Sequence, residues 1–570
     1  MTVYILKGRP RVKFLLWVVA ICLLTLNLLQ STRDPSPASA PWLELDPTPT
    51  DWPETASTDE EDLDPSGNRS PYAEGSLYTP FDGDRCDCLF LRHDQHVHPS
   101  EEYDVEIPWL NKTTVQLLEE THPNLPASFL HQRGREGGCM AVPTHFEIKW
   151  HNDVWQEAAR GGDGGQDEKI FLYSAFYDAR ANTERGPCVR ILGVSQLLDP
   201  EPVWCTLWFD PSKPPVSAHA TAEHLDIQDQ DPRRHMPYLF TCDLPASVEH
   251  LVPAAVSLVS VPCGPTANIL KVVGGRERGS SAVVGESDGK NPPVWNVAVC
   301  GPALYYYHWD AADRLIEWVE ALRAMGVAKV FLYETDVPPR MIRVLRHYEK
   351  GDFVQVLPFT YPPPYSNHPA MRRLWASSET KKMYALENIY FSDCVLRHMH
   401  EYRFIAHFDT DEMPILLRHE TLPQLVGDLL RSYPGLVVPA FALQSNLFYD
   451  DLPPTEEAQD IPTTLWVLRH TLRFKKDEPQ DTRNTKPIFD MDVTRGAFSH
   501  AQVTCVDVIG LCPYHYQVVN STTAYVGHFR KSCKEKCQDK NLLRTETAHL
   551  RHKDTIIRAV TSVREKLHMN

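Results

Sequence analysis

From Trp295 to Met413 the chain alternates short apolar runs with longer amphipathic segments, and this alternation constrains the fold more than any other feature. The apolar runs are WNVAVC, AKVFLYE, DFVQVLPF and RFIAHF, separated by predicted helices over 311–325, 340–349 and 379–399. On the first helix Leu315, Trp318 and Leu322 recur at three- and four-residue spacing, and Gly326 ends it. Strands that alternate with amphipathic helices indicate a mainly parallel sheet with helices on both faces. The pattern predicts an α/β domain.

The fourth apolar run ends in the carboxylates of Asp409, Asp411 and Glu412, within RFIAHFDTDEM. Ligands of open α/β sheets bind outside the carboxyl ends of the strands. Residues two apart on an extended chain face the same side, so Asp409 and Asp411 are predicted to meet one cation while Glu412 faces elsewhere. Oxygen ligands suit Mg²⁺ or Mn²⁺, which commonly carry substrate phosphates. The motif predicts a nucleotide-diphosphate site; the alternative is a solvated turn or helix start.

The N-terminus carries an apolar run, Phe14 to Thr32, that contains no charged residue and is long enough to span a bilayer. Basic residues precede it, so the positive-inside rule predicts a cytosolic tail at 1–13 and an uncleaved signal anchor at 14–32. A cleaved signal peptide is the alternative, with Ala38 to Ala40 as the cleavage region. Residues 33–80 are rich in Pro, Ser, Thr and acids, which predicts a disordered stem.

The net charge of -18 comes partly from this stem, and we interpret it as favouring solubility. The sequence has no basic nucleic-acid footprint. Of the 14 cysteines, one lies inside the apolar run, and the odd number beyond it leaves at least one unpaired or paired between chains, which allows a homodimer. This cysteine usage, and N-x-S/T sequons at Asn68, Asn111 and Asn520, fit an oxidising, glycosylating compartment.

Beyond the stem, composition divides the chain into two bodies. Short runs rich in Val, Tyr, Phe and Trp recur between turn signals in the first, which we place at 81–273 with its lead-in, and they predict a β-sandwich-like domain. Its disulfide candidates are Cys188, Cys205, Cys242 and Cys263. The polar, Gly-rich stretch 274–293 is the predicted linker, and 294–570 the second domain.

Four segments of the second body together resemble glycosyltransferase family 92, a family that includes animal and plant β-galactosyltransferases. They are ALYYYHWDAADRLIEWVEALRAMGVAKVFLYE, NIYFSDCVLRHMHEYRFIAHFDTDEMPI, TKPIF and VGHFRKSC, and the similarity runs from about Val294 to Lys540. The resemblance implies a GT-A fold, a divalent cation, a UDP-sugar donor and inversion at the anomeric carbon. It also implies single-pass type II anchoring in the Golgi membrane with the catalytic part lumenal. Plant relatives carry an N-terminal β-rich carbohydrate-binding module, similar in placement to the β body here.

The resemblance assigns candidate ligand residues. GT-A enzymes frequently add a His from the C-terminal part of the domain to the acidic motif, so the predicted metal ligands are Asp409, Asp411 and His528, with His500 as the rival of His528. Arg530 and Lys531 are predicted to contact the diphosphate, although a solvated basic turn explains them almost as well. Lys486 matches the family's Lys and is predicted to meet phosphate or acceptor, with an ordinary exposed lysine as the alternative.

Inversion by a single displacement needs a base within reach of the acceptor hydroxyl. Asp492 and Glu412 are the candidates, together with Asp490 beside the former. Trp466, Tyr449 and Phe448 are candidates for a sugar-stacking platform or for core.

The leading hypothesis is a metal-dependent inverting glycosyltransferase of the Golgi that moves galactose from UDP-galactose onto a glycan or glycoprotein. The alternative is a membrane-anchored carbohydrate-binding protein with an inactive transferase fold. The intact Asp409-Thr-Asp411 argues against that alternative, because a degenerate site would tend to lose a metal ligand first.

Overall fold

The computed structural model describes the parts of the chain that carry the two predicted bodies. The described residues all lie in one compact unit that begins at His93. They are 104–132, 142–144, 147–159, 169–180, 186–197, 200, 203–225, 236–275, 283–285, 294–436, 438–474, 485–500, 503–505, 516–533 and 539–569.

The predicted transmembrane anchor has no counterpart among the described helices. No helix within the described ranges is both long and apolar enough to cross a bilayer. The tail, the anchor at 14–32 and the stem at 33–80 lie outside those ranges. The prediction of an N-terminal transmembrane helix, and with it that of a single-pass type II protein of the Golgi membrane, is not supported.

The first body is a closed β-barrel preceded by two short helices, α1 (Thr114–Thr121) and α2 (Ala127–Gln132). Seven strands close it in the order β5-β6-β9-β8-β7-β10-β11, because β11 pairs with β10 on one side and, in parallel, with β5 on the other. A hairpin of β3 and β4 extends the sheet beyond β5. The strands are β1 (Glu106–Ile107), β2 (Lys112–Thr113), β3 (Trp150–His151), β4 (Trp155–Ala159), β5 (Lys169–Asp178), β6 (Cys188–Ser195), β7 (Val203–Trp208), β8 (Val216–His224), β9 (Met236–Asp243), β10 (Ala255–Val259) and β11 (Leu270–Val273).

The prediction of a β-sandwich-like domain is therefore wrong. Strands of a sandwich and of a barrel show the same apolar pattern, because both bury one face of each strand. The difference lies in the pairing of β11 with β5, which joins Val272 to Ala175 across most of the domain's sequence. Of the four cysteines proposed for disulfides here, Cys205 and Cys242 form one inside the barrel, whereas Cys188 and Cys263 are free.

The second body is built on a mixed sheet whose parallel half carries the acidic motif. Its order is β16-β15-β14-β17-β21-β19-β20-β26, and β16, β15, β14 and β17 are mutually parallel. The strands are β12 (Val283–Gly285), β13 (Val294–Trp295), β14 (Val297–Tyr305), β15 (Val327–Asp336), β16 (Val354–Pro358), β17 (Phe404–His407), β18 (Glu412–Leu416), β19 (Ala440–Tyr449), β20 (Leu472–Phe474), β21 (Thr485–Asp490), β22 (Thr494–Ala497), β23 (Val503–Cys505), β24 (Gln517–Val518), β25 (Ala524–Arg530) and β26 (Leu543–Thr545).

The helices of this body flank the parallel half of the sheet. They are α3 (Ala312–Ala324), α4 (Pro339–Lys350), α5 (Pro369–Ser378), α6 (Thr380–His398), α7 (Leu422–Ser432) and α8 (Lys553–Lys566). Leu315, Trp318 and Leu322 on α3 are buried, and Gly326 ends that helix region with a φ of +77° that favours glycine. A disulfide between Cys300 and Cys394 ties β14 to α6.

Taken together, the described chain is mostly β-sheet, so the prediction of α/β as its fold class is also wrong. The antiparallel pairings of β17, β19 and β21, and the whole barrel, supply the difference. Along the parallel half, chain order runs outward from β14 to β16 and then returns to β17 on the other side of β14. Such a reversal leaves a crevice at the carboxyl ends of β14 and β17, and the acidic motif follows β17 directly.

Candidate active site

A cavity of about 850 Å³ opens at the carboxyl ends of β14 and β17. Its wall combines carboxylates, cations and many aromatic rings, which is the composition of a site for a charged and partly planar ligand. The carboxylates are Asp409, Asp411 and Glu387; the cations are Arg314, Arg372, Arg530 and Lys531; the rings are those of Tyr305, Tyr306, Trp309, Tyr361, Tyr384, Tyr390, Tyr449, Trp466 and Phe529.

The acidic motif forms a tight turn between β17 and β18. The Glu412 backbone N–H donates to the Asp409 carbonyl at 2.9 Å, and the Asp409 N–H donates back to the Glu412 side chain at 3.1 Å. The Trp318 indole of α3 holds the Glu412 carbonyl at 2.9 Å, and the Tyr306 hydroxyl lies 2.5 Å from that of Thr410. Because the chain turns here, Asp409 and Asp411 have different partners, contrary to the expectation of an extended segment.

Asp409 is paired with a buried lysine. The Lys486 ammonium of β21 lies 2.6 Å from the Asp409 carboxylate and 3.1 Å from that of Glu412. Burial opposes the charge on Asp409, but Lys486 outweighs it and lowers the pKa of Asp409. Burial raises the pKa of Glu412 to about 7 even though Lys486 opposes this. Lys486 therefore stabilises the Asp409–Glu412 turn from its buried side.

His407, the last residue of β17, completes this buried group. Its Nδ1 lies 3.0 Å from the Cys300 carbonyl, and its Nε2 lies 3.5 Å from Asp409. Burial, and then the charge of Lys486, lower the pKa of His407 to about 3, so the imidazole is neutral at physiological pH. A neutral ring donating through Nδ1 presents its Nε2 as an acceptor.

Asp411 faces the cavity beside His528. The pairing of β18 with β25 places His528 directly opposite Glu412. The His528 Nε2 lies 3.3 Å from Asp411, and its Nδ1 lies 3.6 Å from Glu412. Burial would lower the pKa of His528, but the hydrogen bond to Asp411 and the charge of Glu412 raise it. The structure thus brings these two predicted metal ligands together.

The donor set of Asp411 and His528 fits a divalent cation. The Asp411 side chain is 48% exposed, and its carboxylate, in the turn before β18, lies beside the His528 Nε2 of β25. Among the described residues no group of three or more His, Cys, Asp or Glu side chains is arranged to hold a metal. Mg²⁺ and Mn²⁺ sites at nucleotides commonly take only one or two carboxylates and complete the shell with water and phosphate oxygens. Asp409 would join such a shell through the carboxylate that Lys486 holds.

The predicted phosphate contacts divide into two kinds. Arg530 and Lys531 are exposed at the cavity, and the Lys531 ammonium lies 4.9 Å from the Trp309 ring centre. Lys486 instead is buried against its two carboxylates and does not line the cavity. An exposed lysine, the alternative for Lys486, is excluded.

The predicted bases do not face the cavity. Asp490 and Asp492 both pair with Arg403, at 3.1 and 3.0 Å. Asp490 lies opposite Phe404, at the end of β17 away from the motif. Glu412 is buried and fully engaged with Lys486, the Asp409 N–H and His528.

Of the remaining residues proposed from the sequence, some line the cavity and others do not. His500 lies 3.1 Å from the Thr485 carbonyl through Nδ1, so it supports β21 next to Lys486. Tyr449 and Trp466 line the cavity, whereas Phe448 is buried and stacked on Phe529.

Two residues that line the cavity were not predicted from the sequence. Glu387 on α6 has aromatic neighbours at Tyr384, Tyr390 and Phe391, at helical spacings of three and four, and this was the signal for a carboxylate on an aromatic face. Burial, and then the charge of Asp409, raise the pKa of Glu387 to about 8.

Arg314 on α3 is the second. Its guanidinium lies 3.8 Å from the Trp466 ring centre and 4.9 Å from that of Trp309. Its nearest carboxylate, Asp450, is 3.7 Å away. Two indole rings therefore hold a cation at the cavity wall, an arrangement that depends on distant segments and has no local sequence signal.

Comparison with known proteins gives a family match over the part of the chain that contains this site. Residues 296–566 match the model of glycosyltransferase family 92, which confirms the resemblance drawn from the sequence. No curated protein matches the chain by sequence.

Among solved structures, S. aureus TarS 1-349 is 8% identical with a TM-score of 0.20, over 34% of this chain and 47% of that one. Its complex with UDP gives the same values. A UDP-glucose pyrophosphorylase complexed with UDP-glucose is 9% identical with a TM-score of 0.16, over 48% of this chain and 99% of that one. The chain thus spans about half the length of TarS 1-349, and TM-scores this low carry no argument about fold or site.

Proposed function

We propose, with the match of residues 296–566 to glycosyltransferase family 92 as the premise, that this protein transfers galactose from UDP-galactose to a glycan hydroxyl with inversion. The observation that carries the proposal is the Asp409–Glu412 turn at the sheet crevice, which presents Asp411 to a cavity that also contains basic side chains. Carboxylates beside cations at such a crevice suit a metal-bound nucleoside diphosphate. The identity of the donor sugar, galactose, is taken from the resemblance to the family.

Asp411 and His528, joined by Asp409, would hold Mn²⁺ or Mg²⁺, which would neutralise charge on the departing UDP. Lys486 and Glu412 fix the turn behind these ligands. Arg314, Arg530 and Lys531 supply positive charge along the same cavity, where they would contact the diphosphate. Because the Trp309 and Trp466 rings hold the Arg314 guanidinium in place, little reorganisation is needed when negative charge develops.

The Glu387 carboxylate is the general base that takes the proton of the acceptor hydroxyl. It must be ionised to do so, and because its pKa is raised to about 8, kcat is expected to increase with pH up to about that value. Glu387 lines the cavity with Asp409, whereas Asp492 lies with Arg403 beyond the other end of β17 and Glu412 is enclosed. A general base must lie within hydrogen-bond reach of the hydroxyl that it deprotonates. Glu387 meets the condition of facing the space that an acceptor must enter.

The test is turnover of UDP-sugars with Mn²⁺, followed as UDP release and as glycan product. Asp411→Asn is expected to lower kcat/KM by more than about 100-fold, because loss of a residue behind a metal ligand already costs about 10-fold to 100-fold. Glu387→Gln is expected to lower kcat by about 10²-fold to 10⁴-fold with donor KM unchanged. Asp460→Asn removes an exposed carboxylate that does not line the cavity and should be neutral. Unchanged transfer in Asp411→Asn would refute the metal assignment. A larger loss in Asp492→Asn than in Glu387→Gln would return the base to Asp492.

A further inference from the structure

Large exposed hydrophobic side chains in the second body concentrate around the cavity. Between residues 294 and 569, among those described, six are at least 36% exposed: Tyr307, Trp309, Met371, Leu374, Tyr384 and Leu436. All but Leu436 lie on segments that border the cavity. Clustered apolar exposure of this kind marks a binding surface rather than chance.

The loop after β14 and helix α5 form a continuous border. The Tyr305 ring lies 5.3 Å from that of Tyr307, and the Tyr305 hydroxyl donates to the Pro369 carbonyl at the start of α5 at 2.5 Å. The Arg373 guanidinium of α5 lies 2.8 Å from the His308 ring nitrogen. The two segments that carry Tyr307, Met371 and Leu374 are thus joined by direct contacts.

Trp309 differs from the other rings because Arg314 and Lys531 each lie 4.9 Å from its centre. Its faces are engaged by the cations that the diphosphate needs. Tyr384 is 54% exposed at the cavity and is therefore the ring most open to an incoming ligand.

Tyr384 lies one helical turn before Glu387, the proposed base, on α6. Residues three apart on a helix are neighbours on one face, so Tyr384 and Glu387 present a ring and a carboxylate side by side on α6. One face of a pyranose ring is formed by C–H groups, which pack on aromatic rings, while its hydroxyls project from the edge. A sugar stacked on Tyr384 would direct a hydroxyl toward Glu387.

We propose that Tyr384 and Tyr307, together with the neighbouring Met371 and Leu374, form the acceptor surface and bind an oligosaccharide through the apolar face of its terminal pyranose. This rests on the proposed function, because the donor is taken to occupy the part of the cavity near Asp411. The acceptor then enters from the exposed side and meets the aromatic border before it reaches Glu387.

Steady-state transfer in the full chain tests this, with acceptor and donor varied separately and with UDP-sugar hydrolysis measured in the absence of acceptor. Tyr384→Ala is expected to raise acceptor KM about tenfold, whereas donor KM and hydrolysis stay unchanged. Tyr384→Phe keeps the ring and should retain wild-type acceptor KM. Leu436→Ala, the matched loss of an exposed apolar side chain elsewhere, should change nothing. Unchanged acceptor KM in Tyr384→Ala, or an equal rise in Leu436→Ala, would overturn the proposal.

Glycan binding without donor separates this proposal from the proposed function. The probe is a panel of oligosaccharides ending in galactose, N-acetylglucosamine or fucose. If wild type binds some of these and Tyr384→Ala does not, the surface is supported even where no UDP-sugar is turned over, and only the transferase proposal fails. If wild type binds none of them and transfer is unaffected by Tyr384→Ala, the surface proposal fails.

Discussion

At the scale of single residues, the cavity wall depends on a buried carboxylate that does not itself line the cavity. Glu317 of α3 is fully buried and accepts the backbone N–H groups of Trp466, Val467 and Leu468 at 2.5, 3.0 and 2.9 Å. Trp466 in turn lies against Arg314. Glu317 therefore fixes the loop that orients a cation toward the cavity.

This arrangement predicts a pH-dependent stability. Burial raises the pKa of Glu317 to about 7 from 4.5, although the three N–H groups and the charge of Arg314 act in the opposite direction. Because folding raises this pKa, the contribution of Glu317 to the free energy of unfolding is fully present below pH 4.5. It is lost as the pH rises through 7. Relative to Glu317→Gln, which cannot ionise, wild type should lose up to about 3 kcal/mol of its free energy of unfolding across this window. Urea unfolding of both proteins from pH 4.5 to 8.5 measures the free energy of unfolding of wild type minus that of Glu317→Gln. If this difference stays constant or increases with pH, the raised pKa of Glu317 is contradicted.

Residue positions were predictable where the chemistry is local in sequence. Asp409 and Asp411 follow an obvious strand, so their place at a sheet edge came from the pattern alone. Lys486 and His528 were found through the family resemblance, because nothing local says that β21 and β25 return to the motif. Glu387 is about twenty residues before the motif on another element, and only the packing of α6 against the cavity gives its carboxylate a role.

At the scale of elements, the site depends on the register of β18, β25 and β19. Gly527 pairs with Met413 on one side and with Asn446 on the other, and it precedes His528. A Cβ at Gly527 would lie 3.0 Å from the Phe448 ring, 3.2 Å from the Phe529 ring and 3.3 Å from Ile415. These neighbours are buried, so β25 would have to shift and carry His528 with it.

Gly527→Ala should therefore lower both stability and activity. We expect a loss of about 1–3 kcal/mol from overpacking, together with a fall in transfer larger than the unfolded fraction explains. Gly427→Ala is the control, because that helical glycine meets only the end of Arg431 at 3.5 Å and alanine favours helices. Chemical denaturation and transfer kinetics on both variants give the comparison. Full activity in a destabilised Gly527→Ala would show that the position of His528 does not depend on this packing.

Element type was predictable from periodicity, but sheet closure was not. The helix expected at 311–325 is found at Ala312–Ala324, since its apolar spacing leaves one solution. The barrel escaped prediction because its closing contact, β5 with β11, is a long-range pairing between strands that look alike. Antiparallel insertion of β21 beside β17 is likewise decided by tertiary pairing rather than by residue pattern.

At the scale of the whole molecule, the barrel supports the cavity through the β3–β4 hairpin. Asn152, in the left-handed region with a φ of 45°, donates its side-chain amide to the carbonyls of Tyr361 at 2.8 Å and Tyr365 at 3.1 Å. The Thr360 hydroxyl donates to the Asn152 carbonyl at 2.5 Å, and the Trp155 indole donates to the Thr360 carbonyl at 2.9 Å. The supported loop carries Tyr361 into the cavity wall.

This contact predicts that the barrel acts on catalysis through loop position. Asn152→Asp keeps the shape and tolerates the left-handed backbone, but it removes both donors and places a carboxylate against two carbonyls. Tyr361 lies 4.7 Å beneath the guanidinium of Arg372, so a displaced loop would disturb two cavity residues together. We expect kcat/KM to fall about tenfold, as a lost or opposed hydrogen-bond pair permits, with the unfolding midpoint little changed.

Asp153→Asn, an exposed change in the same turn, is the matched control and should leave kcat/KM unchanged. A barrel that served only as a separate carbohydrate-binding module would respond differently. Asn152→Asp would then alter glycan binding by the barrel, or nothing, while kcat/KM on a small soluble acceptor stayed at the wild-type value. Kinetics on such an acceptor, which reaches the cavity without a second binding site, therefore decides between a structural support and an independent module.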